Sequence, residues 1–183
     1  FVNTVIGYSK DRLSISTSEV TSSLLKEALK RAEKLNDTSF QAILLLHLAS
    51  LEYQRINYIS AQKYFSKGQR LSADSSDPAV QRTLNACSVL NYCYSGRFKD
   101  AVKKYESIGS IFSKKAPKQR LSLKFGIILG LSYAYIGQIP LGLGLMNQLR
   151  DDALAANDKD AAARASIHIA WVLIIKNDLE NAT

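Results

Sequence analysis

Residues 91–109 read NYCYSGRFKDAVKKYESIG. The stretch holds the end of one helix, a turn at Ser95-Gly96 and the start of a second helix. Tyr92, Gly96, Phe98, Ala101 and Tyr105 punctuate it. The same punctuation recurs on both sides. With the small residue that opens each second helix as an anchor, the series is Ala61, Ala101, Gly142 and Ala182, at gaps of 40, 41 and 40 residues. Three before the anchors stand Tyr58, Phe98, Ile139 and Leu179. Nine before stand Glu52, Tyr92, Tyr133 and Leu173. Four after the first three stand Phe65, Tyr105 and Met146. Self-similarity at this period is the signature of a helical solenoid. Small residues are needed where helices cross closely, and large ones fill the space beside them.

Turn chemistry follows the same beat. Asn57, Gly96, Gly137 and Asn177 fall four or five before the anchors, where a helix end takes the left-handed conformation. Asn36-Asp37 ends the first helix, and Asp77-Pro78 reads as a cap followed by the first helical residue. Pro117 and Pro140 also suit helix starts. The pattern predicts helices over 18–35, 38–55, 59–73, 78–95, 98–113, 118–136, 141–156 and 159–176. Residues 1–16 give no clear reading.

Composition points the same way. Only 9 Gly and 3 Pro in 183 residues suit long helices and short turns rather than a strand-rich fold. A hydrophobic share of 46% against 22% charged fits a chain that buries a core. No apolar run is long enough for a bilayer span and no secretory leader is evident. The start at Phe1 and the stop at the last anchor suggest a soluble, cytoplasmic segment cut from a longer array. Cys87 and Cys93, six apart on one helix, point about 240° apart and cannot bridge within it.

The residues resemble tetratricopeptide repeats. YCYSGRFKDAVKKY carries the likeness best; SYAYIGQIPLGLGLM and IAWVLIIKNDLENA are weaker copies. The likeness spans residues 39–183. It departs from the family in its longer period of about 40 residues and in lacking the closing proline, where Ala73, Ser113 and Leu154 stand. Long units of this kind are similar to the solenoid arms of large bacterial signalling regulators, such as the maltose-regulator class of transcription activators. The resemblance implies an all-α, right-handed α-solenoid of antiparallel helix pairs. The whole chain, 1–183, would form one segment: a partial unit at 1–37, full units at 38–76, 77–116 and 117–157, and a truncated unit at 158–183.

In that family the first helix of each pair lines an inner wall that binds ligands. By offset, this wall carries Leu90, Tyr94, Leu131, Tyr135 and Trp171, with Ser50, Gln54, Leu46, Ala86, Ile127, Ile167 and Ile175 on the same face. Lys124 and Arg164 stand at its rim. The wall is apolar and aromatic. It is either a groove for a peptide, a helix or a neighbouring domain, or a face buried by tight curling. The family's charged clamp for C-terminal carboxylates is not reproduced, since Leu, Ala, Ile and Tyr occupy those positions. The expected function is a non-enzymatic interaction or ligand-sensing scaffold within a regulatory protein. Self-association through an uncapped C-terminal end is a further expectation.

The net charge is +8. Lys103, Lys104, Lys114, Lys115, Lys118 and Arg120 concentrate it into an outer basic stripe. Either the stripe is a solvated face, or the chain is a nucleic-acid-binding repeat module. Against the second reading, no aromatic is interleaved as a stacking platform. His47 and His168 share an offset but lie three units apart, too far to share an ion. No metal cluster, phosphate loop or nucleophile–base set is present, so no cofactor and no catalysis are expected.

Overall fold

In the computed structural model, residues 15–108 and 123–176 are described. Among them there are eight helices and no strand. They are α1 (Ile15–Lys34), α2 (Thr38–Gln54), α3 (Tyr58–Ser72), α4 (Pro78–Tyr94), α5 (Phe98–Ile108), α6 (Leu123–Tyr135), α7 (Ile139–Ala155) and α8 (Lys159–Ile175). Each corresponds to one helix predicted from the sequence. The expected continuation to residue 113 and start at 118 lie outside the described residues. The chain divides into two compact units, Phe1–Tyr94 and Ser95–Thr183.

In the first unit α2 is the central helix. It packs against α1, α3 and α4. That is why TSFQAILLLHLASLEYQ is apolar almost all round rather than along one stripe. Leu44, Leu45, Leu46 and Leu48 are all fully buried. Leu25, Ala28, Leu29 and Ala32 of α1 close on Leu44, Leu45, Leu48 and Leu51. On α3, the anchor Ala61 is 0% exposed, and Phe65 four residues on is buried. Gly68 lets α3 come close to Leu45 and Leu46, for a Cβ there would stand 3.0 Å from Leu46 Cγ. A polar seam joins three helices, with Tyr53 Oη between the side-chain amides of Gln62 on α3 and Asn91 on α4.

In the second unit α6 packs against α5, α7 and α8. Phe125, Ile127, Leu129, Tyr133 and Ala134 are buried. Here the helix crossing uses glycine on both sides: Gly130 takes the Met146 side chain, and Gly142 lies on the Gly130 carbonyl. Ala134, Met146 and Val172 form the core there. Tyr133 donates to the Glu106 carboxylate at 3.4 Å, linking α6 to α5.

Most of the turns are three residues long, and their geometry corrects one expectation. The left-handed residues are Asn36, Ile56, Gly96, Gly137 and Asn157. Asn57 was expected in that role, but its φ is −93 and it serves as the N-cap of α3, while Ile56 takes φ 62. An amide side chain can accept from the helix N-terminus, so Asn57 is used one position later than a helix-end reading places it. Asp37 and Asp158 cap α2 and α8 in the same way, accepting from Phe40 N and Ala161 N. Asp77 accepts from Ala79 N at 2.7 Å ahead of α4, as Asp77-Pro78 predicts.

Candidate functional site

Of the residues read as an inner wall, Leu131, Tyr135 and Trp171 are brought together. With Ile167, His168, Ala170 and Ile174 they line an open groove of ≈ 610 Å³ between α6 and α8 of the second unit. Its surface is apolar and aromatic. Tyr135 is 51% exposed, Ile167 65% and Trp171 52%, a concentration of uncovered large side chains on one face. The Tyr135 ring is held by stacking on Phe98, with centroids 4.8 Å apart. His168 Nδ1 lies 2.8 Å from the Arg164 carbonyl oxygen, a contact in which Nδ1 is the donor. Arg164 itself turns to Asp160 at 2.6 Å, an exposed pair one helical turn away.

Leu90 and Tyr94 belong to the first unit. Leu90 is buried at 7% exposure, so it is a core residue there and offers no groove surface. Tyr94 stacks on Tyr53 at 5.3 Å with nearly parallel rings, and its other neighbour is Tyr58. Burial pushes the Tyr94 hydroxyl up to about 12, with the Tyr58 and Cys93 groups adding to it. Its ring is committed to this aromatic cluster. Lys124 stands in the first turn of α6.

In the basic stripe, Lys103 is exposed and Lys104 is half-buried on α5. Lys114, Lys115, Lys118 and Arg120 lie outside the described residues. Among the described residues, no group of three or more His, Cys, Asp or Glu side chains is placed to hold a metal. No helix among them is long and apolar enough to cross a membrane.

No protein-family model, curated protein or solved structure matches this chain. The site therefore rests on its own geometry. Sequence reasoning missed Ala170, Ile174 and His168 as groove residues. The missed signal was the spacing Ile167, Ala170, Ile174, an apolar stripe on one helical face of α8.

Proposed function

We propose that the chain is a non-enzymatic repeat scaffold of a larger regulator, whose second unit docks an apolar face of a protein helix. One observation carries this reading. On α6, Ile127, Gly130 and Ala134 are buried, and Gly130 and Ala134 meet α7. On α2 the residues at the same offsets, Leu46, Ala49 and Tyr53, are buried too. On α8 the corresponding Ile167 and Ile174 are 65% and 48% exposed. A face that takes a helix in two places stands open in the third.

The α6–α7 register supports a stack of antiparallel pairs of the tetratricopeptide kind. Gly126 meets Leu149, Gly130 meets Met146, and Gly142 meets Gly130 and Ala134, so the contacts run in opposite order along the two helices. Two buried free cysteines, Cys87 and Cys93, suit a reducing cytoplasmic setting.

The test uses Trp171, the single Trp of the chain. A peptide copying α7 (residues 139–155), the helix that covers the equivalent face of α6, is titrated into the protein. Saturable blue-shifted emission is expected. Ile167→Asp should weaken binding at least tenfold, about 1.4 kcal/mol, with an unchanged melting temperature because Ile167 is uncovered. A flat emission spectrum would count against the docking face. Concentration-dependent sedimentation that Ile167→Asp abolishes would make a second copy of the chain the occupant.

A further inference from the structure

The first unit holds a cavity of a different kind, independent of the docking face. It measures ≈ 330 Å³ and is lined by Lys26, Glu52, Arg55, Asn57, Ser60 and Tyr64. Every lining residue carries a charged or hydrogen-bonding side chain. Cavities of this size that bind neutral molecules are lined mostly by apolar groups. This one is an open cleft, with Lys26, Arg55 and Asn57 exposed, whose lining suits a polar occupant.

Glu52 is the anomaly that organises it. The corresponding residues of the later units are Tyr92, Tyr133 and Leu173. A carboxylate here is only 5% exposed and must be neutralised where it sits. Two groups do so. Arg55 Nη1 lies 3.3 Å from Oε1, and Asn57 Nδ2 donates to Oε2 at 2.8 Å. The buried acid thus fixes a guanidinium and an amide at the wall of the cavity. Holding the turn would account for Glu52 and Asn57. It does not account for the other three lining donors, Lys26, Ser60 and Tyr64. Lys26 makes no ion pair, and the Ser60 and Tyr64 hydroxyls make no hydrogen bond, among the described residues.

We propose that this cavity binds a small molecule through a compact oxyanion, a carboxylate or a phosphate. The single lining carboxylate has both oxygens engaged by Arg55 and Asn57, and Arg55 also lies 3.9 Å from the exposed Glu19 carboxylate, so Lys26 is the lining cation left without an acid among the described residues. One negative charge beside Lys26 would complete the pairing. Lys26 Nζ, the Arg55 guanidinium and the two hydroxyls are the donors that such a group recognises.

The experiment follows backbone amide resonances of the full chain during separate titrations with sodium phosphate and sodium acetate, at ionic strength held constant with chloride. Saturable movement of amides 55–60 is expected, and the anion with the tighter curve identifies the headgroup. Lys26→Met should raise Kd at least tenfold at an unchanged melting temperature, and Lys26→Arg should restore most of it. Shifts that grow linearly with both salts, or a Lys26→Met variant that binds like the parent chain, would overturn the proposal.

Discussion

Gly142 and Gly130 touch backbone to backbone: a Cβ on Gly142 would stand 2.5 Å from the Gly130 carbonyl oxygen. No side chain can move aside there. Gly142→Ala must push α7 off α6 and should cost roughly 1–3 kcal/mol. Gly144, two residues on, meets nothing within 4 Å. Gly144→Ala should instead stabilise α7 by roughly 0.5–1 kcal/mol, because alanine loses less backbone freedom on folding. Thermal melts of the pair should move in opposite directions. A common sign would disprove the crossing geometry.

Ala101 occupies the same anchor position on α5 and is 0% exposed. Ala101→Leu should overpack the second unit and cost roughly 1–3 kcal/mol. Denaturant unfolding monitored by helical circular dichroism is the measurement; an unchanged midpoint would detach this anchor from the repeat register.

These anchors were legible because a close helix crossing permits only small residues, whatever surrounds it. Burial on the inner face was not legible in the same way. Leu90 and Trp171 share one offset, yet Leu90 is 7% exposed and Trp171 52%. Whether an apolar residue is core or groove depends on what packs over it, and one helix does not encode its cover. The polar cavity was hidden for a related reason. Glu52 filled a slot in the repeat series, and its partners Arg55 and Asn57 are near in sequence, but Lys26 and Tyr64 come from other helices. Ile56 escaped because Asn57 beside it offered the more usual residue for a left-handed turn.

Ile56 at φ 62 is a β-branched residue in a region that favours glycine, and it is 69% exposed, so little packing repays the strain. Ile56→Gly should stabilise the first unit by about 1 kcal/mol. Equilibrium unfolding in urea checks this. A loss of stability would mean that the Ile56 side chain does more than the turn requires.

Alkaline pH should weaken the fold. Burial pushes the Cys87 thiol up from 9.0 to about 12. Burial, reinforced by the Glu106 carboxylate, lifts the Tyr133 hydroxyl to about 12 as well. Both groups are neutral when protonated. Above their ordinary values the unfolded chain sheds these protons while the folded chain keeps them, so stability falls as pH rises until the folded groups titrate. For Cys87 alone the slope approaches ~1.4 kcal/mol per pH unit inside that window. Cys87→Ala should flatten the decline between about pH 9 and pH 11, and an equally steep decline would assign it elsewhere.

Each unit has one pair of left-handed residues 20 apart, Asn36 and Ile56 in the first and Gly137 and Asn157 in the second. That spacing makes the chain intolerant of small changes in length. One residue deleted inside α2 rotates everything up to the next turn by about 100°, swinging Leu44 and Leu48 out of their sockets. Loss or duplication of a whole helix with its turn keeps every remaining side chain in phase. Length variation should therefore come in steps of one helix and turn, with single-residue insertions, among the described connections, confined to the longer 73–77 one, where Asp77 and Pro78 restart the helix independently of what precedes them.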